Sequence, residues 1–213
     1  SGRRPRTKTP QQLLRELECL YRLGYRGHVD FVDDNFIGNK KAVKAFLPEL
    51  LTWSRQHGFP FLFSTEATIN LADDPRLLDM MEAVDFRYVF VGIETPDSRL
   101  LIRTQKKVNT RYSVVECVHR LNRRGMVVTA GFILGFDGET RQAADAIAAC
   151  VEAAAIPMAM VGLLCALPNT QLYRRLQREG RLLNEDHSGD NMDLRLNFIP
   201  KMDRQALIDG YRW

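Results

Sequence analysis

Residues 131–139 read Gly-Phe-Ile-Leu-Gly-Phe-Asp-Gly-Glu, and they follow a run of β-branched and small residues, Val127-Val128-Thr129-Ala130. The run predicts a strand, and the residues from Thr140 to about Ala155 predict a helix. The glycines and carboxylates of 131–139 therefore fall where a strand turns into a helix. Glycine permits positive φ and the close approach of a ligand to the backbone.

The same turn has the position of a ligand site. A helix N-terminus offers unpaired N–H groups, and parallel α/β folds bind ligands at the carboxyl ends of their strands. A glycine-rich turn that serves packing alone is the alternative interpretation. The spacing is neither GxGxxG nor GxxxxGK[ST], so neither dinucleotide nor P-loop binding is indicated.

Working outward, the chain alternates predicted strands with predicted helices. The predicted strands are residues 28–32, 61–66, 88–94, the run from 127, and 158–167. They read as buried and largely apolar, which is typical of a parallel sheet covered by helices. The repeat of about thirty residues is barrel-like, but a closed barrel needs eight units. The first helix, which begins at Thr9-Pro10, has no strand before it, and the last helix, from Asp203, has no C-cap, so we expect a fragment of a longer protein.

Bulk composition limits the function classes. The chain has 213 residues, 45% hydrophobic and 26% charged, which suits one globular domain or a large part of one. The sequence contains no apolar run of about eighteen residues, so no transmembrane segment is predicted. The net charge is +4, and aromatic residues do not alternate with the clustered basic residues, so no nucleic-acid partner is expected. The four cysteines lack CxxC spacing, and we interpret them as buried side chains in a reducing cytoplasm, with Cys165 in a strand.

Carboxylates follow nearly every predicted strand. They are Asp33 and Asp34, Glu66, Glu94, and Asp137 with Glu139, while Pro168-Asn169 follows the last strand. Parallel strands would bring these groups to one edge of the sheet, where they repel one another unless a metal, an amine or sugar hydroxyls bind there. Each one taken alone is explained equally well by an N-cap or a solvated turn.

Three stretches carry a resemblance to a known family. They are residues 31–39 (Phe-Val-Asp-Asp-Asn-Phe-Ile-Gly-Asn), residues 90–96 (Phe-Val-Gly-Ile-Glu-Thr-Pro) and residues 131–139. The chain resembles the radical SAM superfamily, and more narrowly its cobalamin-binding class with a C-terminal extension, which includes the hopanoid methylases. The resemblance implies a partial (β/α)6 TIM-like barrel with parallel strands, of which the first strand and the cluster loop are missing here. It also implies a barrel core at residues 1–180 and the start of the extension at 181–213.

The resemblance implies site residues. Asp33, Asp34 and Asn35 would contact the amino group of S-adenosylmethionine, and Glu94 would contact its ribose. Gly131, Ile133 and Gly135 would lie against adenine or the methionine end, and the backbone of Cys165 to Leu167 would bind adenine. Glu66 would face ligand or substrate. Glu139 would hold the turn. These roles complete the set of expected cofactor-binding residues.

The resemblance also implies cofactors and partners. S-adenosylmethionine would be cleaved reductively at a 4Fe–4S cluster held by a CxxxCxxC motif, which is absent from this chain. The cluster ligands would therefore lie outside the chain, and the fragment alone would be inactive. Cobalamin would bind another domain of the parent protein. A small-molecule substrate, lipid-like in some relatives, and an electron donor such as flavodoxin or ferredoxin complete the expected set, in the cytoplasm.

Two alternatives from other classes stay open at this point. Asp33, Asp34, Glu66 and Glu94 could hold a divalent cation in a barrel hydrolase or lyase. The chain could also be a barrel scaffold without catalysis. Cysteines in CxxxCxxC spacing just upstream of Ser1 would exclude the scaffold.

Overall fold

The computed structural model describes residues 7–103, 113–183 and 194–213. The strands are β1 (Gly27–Phe31), β2 (Phe61–Glu66), β3 (Phe86–Glu94), β4 (Val127–Leu134) and β5 (Met158–Leu163). They form one five-stranded sheet in the order β1-β2-β3-β4-β5, and the β1–β2 and β2–β3 pairs are parallel. The predicted alternation of strands and helices is confirmed.

The helices in the described parts of the chain begin largely where the sequence predicts. They are α1 (Pro10–Arg22), α2 (Lys40–Gln56), α3 (Pro75–Ala83), α4 (Ser98–Arg103), α5 (Val114–Asn122), α6 (Ala143–Ala154), α7 (Gln171–Arg178) and α8 (Arg204–Arg212). Two 3₁₀ turns, Phe36–Asn39 and Ile69–Asp73, precede α2 and α3. α4 was not predicted. The sequence also predicts an N-cap at Thr110 and a loop at residues 187–191, and both lie outside the described residues.

The N-caps show why these helices start where they do. Thr9 forms a capping box with Gln12, and Asp74, Thr170 and Asp203 each accept a hydrogen bond from the backbone of the helix that follows. The predicted start of α6 at Thr140 is wrong by three residues. The chain makes a turn at 140–142 first, and no side-chain cap is present there.

The chain divides into two compact units, Ser1–Gly92 with Val115–Thr129, and Ile93–Val114 with Ala130–Trp213. The first unit has an aromatic core in which Phe31, Phe61, Phe63 and Phe86 lie against one another, with Phe63 and Phe86 fully buried. In the second unit, Phe132 and Leu134 of β4 are buried, and Ala166, Leu176 and Phe198 form a further buried cluster. These clusters hold the strand ends in place within each unit.

Three sequence-based expectations are corrected. β1 is not a buried strand, because it lies at the end of the strand order and exposes His28 and Asp30 while Val29 and Phe31 are only half-buried. β5 stops at Leu163 and does not reach residue 167. The sequence also predicts a short edge strand at residues 194–198, whereas the structure has one antiparallel bridge there, between Phe198 and Leu182.

Candidate functional site

The loop after β1 carries the first three predicted site residues. Asp33 and Asp34 are exposed, and the backbone nitrogen of Asn35 donates to Oδ1 of Asp33 at 3.1 Å. The side-chain oxygen of Asn35 accepts hydrogen bonds from the backbone nitrogen of Thr68 at 3.2 Å and from its hydroxyl at 3.4 Å. Asn35 therefore ties this loop to the loop after β2, and the two carboxylates are left facing solvent.

The register of β1 and β2 brings Glu66 to the same edge. Phe31 is paired with Thr65, so the residues that follow each strand lie side by side. Glu66 ends β2 and is exposed. Within the first unit, the predicted convergence of strand-end carboxylates is thus seen for the β1 loop and Glu66.

A polar chain that the sequence analysis did not identify lies on the same two strands. Oγ of Ser64 donates a short hydrogen bond to Oδ1 of Asp30 and lies 2.7 Å from Nε2 of His28. The ring of His28 packs edge-on against Tyr88 with a centroid distance of 5.9 Å. Because the single hydroxyl proton goes to Asp30, Nε2 of His28 carries the proton it donates to Ser64. The i, i+2 spacing of His28 and Asp30 was a signal for a shared face.

Glu94, in the second unit, ends β3 in an unusual conformation. Its φ is +70°, and the backbone nitrogen of Thr95 donates back to the oxygen of Ile93 at 3.0 Å. A hydrogen bond between residues i and i+2 around a central residue with positive φ defines a γ-turn of the strained type. Thr95 is buried, and its hydroxyl oxygen accepts from the backbone nitrogen of Asp97 at 3.2 Å. Strain of this kind clusters at ligand sites, which supports the prediction for Glu94.

The end of β4 is a glycine turn supported by a buried carboxylate. Gly131 and Ile133 are half-buried and alternate with the buried Phe132 and Leu134. Gly135 has φ +111°, and a Cβ there would lie 3.4 Å from a carbon of Leu164. This backbone position therefore requires glycine.

Glu139 closes that turn. Its Oε2 accepts from the backbone nitrogens of Gly135 at 2.7 Å and Phe136 at 3.2 Å, while Oε1 is buried without a hydrogen-bond partner among the described residues. Burial raises the pKa of Glu139 from 4.5 to about 7, against the lowering effect of the two N–H groups. These contacts fit the expected role, which is to hold the turn.

Asp137 does not join the exposed carboxylates. Arg181 makes a two-point contact with it, from Nη2 to Oδ1 at 2.8 Å and from Nη1 to Oδ2 at 2.9 Å, and Arg175 adds a contact at 2.8 Å. Hydrogen bonding from Arg181 lowers the pKa of Asp137. Asp137, one of the carboxylates expected to meet at the strand ends, is instead neutralised by two arginines.

The backbone after β5 is positioned by a side chain. Cys165 and Leu167 follow the strand, which corrects the placement of Cys165 within it. Between them, Ala166 donates to Oδ1 of Asn197 at 2.9 Å, and its oxygen accepts from Nδ2 of Asn197 at 2.9 Å. The side-chain amide of Asn197 thus makes the two hydrogen bonds that a neighbouring strand would make, at the point where the strand pairing of β5 has ended. Neither Asn197 nor Arg181 was identified from the sequence.

The first unit contains a mostly apolar groove of about 480 Å³ beside β1. Leucines of α1 line one side, including Leu13 and Leu17, and Phe31 and Phe46 line the other. Asp33 lies among the lining residues, so the groove opens next to the β1 loop.

A metal centre finds no support in the described residues. No group of three or more His, Cys, Asp or Glu side chains among them is arranged to hold an ion. The four cysteines are free, and Cys19 is exposed rather than buried as expected. Burial raises the pKa of Cys117 to about 11, so its thiol stays protonated and binds metal poorly. None of the described helices is long and apolar enough to cross a membrane.

Comparison with known proteins gives two family matches. Residues 1–151 match the Radical SAM superfamily, and residues 170–213 match a domain of unknown function (DUF4070). The uncharacterized methyltransferase sll1242 of Synechocystis sp. is 49% identical over 210 residues, which are 99% of this chain and 39% of that protein. The hopanoid C-2 methylase of Rhodopseudomonas palustris is 43% identical over 195 residues, which are 92% of this chain and 37% of that protein. The chain thus spans well under half of the length of both relatives.

A solved structure agrees with the fold. The radical S-adenosylmethionine methyltransferase TsrM from Kitasatospora setae, determined with cobalamin and a 4Fe–4S cluster bound, aligns with 81% of this chain and 32% of its own at 18% identity and a TM-score of 0.68. The fold is therefore the α/β partial-barrel class, TIM-like. The chain belongs to the radical SAM superfamily, since that match covers more than half of its residues.

Proposed function

We propose that the chain is the S-adenosylmethionine-binding core of a radical SAM methyltransferase. The match of residues 1–151 to the superfamily carries this proposal. The names of the two relatives, a methyltransferase and a hopanoid methylase, support methyl transfer. The TsrM structure, which contains cobalamin, supports a cobalamin-dependent reaction with the cobalamin bound by another domain.

The residues of the chain fit the adenosyl ligand. Exposed carboxylates at Asp33 and Asp34 suit its ammonium group, and the carboxylate of Glu94 suits ribose hydroxyls. The turn at Gly131 to Gly135 offers backbone that a flat base can approach. Asn35 and Glu139 act through other residues, because their side chains hold the loops by backbone hydrogen bonds. Glu66 is proposed to face the ligand or substrate.

When bound, S-adenosylmethionine supplies a reductively cleavable sulfonium for radical chemistry at an unactivated carbon. The chain's own residues bind and orient it. The 4Fe–4S cluster does not fit the described residues, because the cysteines lie on separate elements and do not cluster. The proposal therefore places the cluster ligands outside this chain.

The substrate class, the electron donor and the location follow from other observations. The hopanoid methylase relative favours a lipid-like small-molecule substrate. Reductive cleavage needs an electron donor, for which flavodoxin or ferredoxin is proposed. The free thiols of the chain suit a reducing compartment, which supports a cytoplasmic location. The domain boundary near residue 180 also stays a proposal.

The decisive test uses the full-length protein. Anaerobic reconstitution with iron and sulfide, followed by low-temperature EPR of the reduced sample, should give a cluster signal that changes when S-adenosylmethionine is added. Asp33→Asn and Glu94→Gln should weaken that response, whereas Glu152→Gln, an exposed change on α6, should not. A reconstituted protein without any cluster would rule the proposal out.

A further inference from the structure

The segment from residue 170 to 213 holds both loops that follow β4 and β5. It contacts the loop after β4 through Arg181 and the backbone after β5 through Asn197. Both side chains reach across more than thirty residues of sequence, to Asp137 and Ala166. Of the residues proposed for adenosyl binding, these loops carry Gly135, Glu139, Cys165 and Leu167.

The contact made by Asn197 fixes the backbone that follows β5. β5 ends at Leu163, and Leu164 still donates from its backbone nitrogen to the oxygen of Leu134 at 2.7 Å. Asn197 then satisfies both backbone groups of the buried Ala166. The oxygen of Leu167 accepts from the hydroxyl of Thr170 at 2.6 Å. The path of this backbone is thus defined at three successive points.

The contact made by Arg181 fixes the neighbouring loop. The guanidinium grips both oxygens of Asp137, and Nε donates to the backbone oxygen of Ile199 at 2.8 Å. The side chains of Arg181 and Asp137 are 13% and 12% exposed, so the pair is shielded from solvent and salt. Asp137 lies two residues before Glu139, which closes the Gly135 turn.

The two anchoring residues belong to one small antiparallel pairing. The nitrogen of Ile199 donates to the oxygen of Arg181 at 2.8 Å, and the nitrogen of Leu183 donates to the oxygen of Asn197 at 2.9 Å. Phe198, between these bonds, is buried against Ala166 and Leu176. The backbones of Arg181 and Asn197 therefore flank one packed cluster.

We infer that Asn197 and Arg181 are positioning residues, through which the segment 170–213 sets the selectivity of the core for the adenine end of its ligand. The inference rests on the proposed function, because it assumes that the loops after β4 and β5 bind the adenosyl group. Asn197 holds the backbone around Ala166 by hydrogen bonds to its nitrogen and its oxygen. Arg181 holds the turn beside it.

The test compares two probes in the full-length protein. S-Adenosylhomocysteine and S-inosylhomocysteine differ at one exocyclic position of the base, where an amino donor becomes a carbonyl acceptor. Wild-type protein should prefer the adenine probe. Asn197→Ala should weaken the binding of S-adenosylhomocysteine by about tenfold, which corresponds to the loss of one well-placed hydrogen bond to the base. The ratio of the two dissociation constants should then be close to one. A merely structural role would lower thermal stability and leave the ratio unchanged.

Matched variants and a second measurement keep the test decisive. Gln205→Ala removes an amide–carboxylate hydrogen bond on exposed α8 of the same segment and should leave the ratio unchanged. Asn197→Asp keeps the acceptor but loses the donor, so it should resemble Asn197→Ala. In wild-type protein, S-adenosylhomocysteine should slow hydrogen exchange of the peptide covering residues 163–169, which needs no variant to fold.

The outcomes separate the two proposals. A wild-type protein that binds neither probe removes the proposed function and this inference with it. A wild-type protein that selects adenine, with an Asn197→Ala variant that selects it equally, removes this inference alone. Unchanged exchange of residues 163–169 on ligand binding does the same.

Discussion

Oε2 of Glu139 accepts a hydrogen bond from the backbone nitrogen of Gly135 at 2.7 Å, across a turn of four residues. The same oxygen also accepts from Phe136 at 3.2 Å, and the second oxygen is buried without a partner among the described residues. The acidic residue of the glycine turn is therefore an internal brace. Its charge is poorly solvated, which makes the turn sensitive to pH.

Replacing Glu139 by Gln should change how stability depends on pH. Burial raises the pKa of Glu139 from 4.5 to about 7, so the folded state binds this proton more tightly than the unfolded state. The stabilisation is complete below pH 4.5 and is lost as pH rises through about 7. In urea unfolding, the free energy of unfolding of the wild-type protein should fall by up to about 3 kcal/mol relative to that of Glu139→Gln over this pH range. Parallel pH profiles for the two proteins would contradict the expectation.

Breaking the pair of Asp137 and Arg181 should be costly. Arg181→Met leaves the nearly buried carboxylate of Asp137 with Arg175 as its remaining partner, and it should lower the free energy of unfolding by up to about 3 kcal/mol at pH 7. Because the pKa of Asp137 is lowered in the folded state, the ion pair stabilises the fold fully at pH values above the ordinary pKa of an aspartate. The stabilisation should be lost as the pH falls through the lowered pKa.

A double-mutant cycle with Asp137→Asn isolates the coupling between the two side chains. The exposed pair of Lys8 and Glu16 serves as the control and should contribute less than about 1 kcal/mol. Equal coupling energies for the two pairs would show that burial does not strengthen the interaction between Asp137 and Arg181.

Gly135→Ala should destabilise the protein more than Gly180→Ala. Gly135 has φ +111°, and an added Cβ would lie 3.4 Å from carbons of Leu164 and Leu207. Gly180 has φ +64° with open space around it, so alanine there meets only the left-handed backbone cost of about 1 kcal/mol. Gly135→Ala should cost about 2 kcal/mol or more by chemical denaturation. A smaller loss at Gly135 than at Gly180 would refute this reasoning.

Asn35→Ala should loosen the loop after β1 while Asn35→Asp should not. The alanine leaves the backbone nitrogen of Thr68 without its acceptor, at a cost of about 1 kcal/mol. Aspartate keeps an oxygen in place. Hydrogen exchange at the Thr68 amide should therefore accelerate in the alanine variant alone. Equal acceleration in both variants would indicate that the amide group of Asn35, rather than its oxygen, organises the loop.

Much of the fold follows from local sequence signals. The sequence predicts caps at Thr9 and Asp74 and a helix start at Asp203, because a cap is a hydrogen bond to a backbone group three residues away. The strand ends at Asp33 and Glu94 were placed by hydrophobic runs and the residues that stop them. The same reasoning overestimated β5, because the apolar run continues past Leu163 while the strand hydrogen bonding does not.

The sequence by itself determined the alternating α/β class, the position of the glycine turn and which carboxylates follow the strands, since these depend on contacts between near neighbours in the chain. The tertiary structure decided that Asp137 is paired with Arg181, 44 residues away, and that Asn197 holds Ala166, 31 residues away. It also joined His28, Ser64 and Asp30 through the register of β1 and β2. Such partners are chosen by packing and strand register, because side chains far apart in sequence meet only when the core has brought their backbones together.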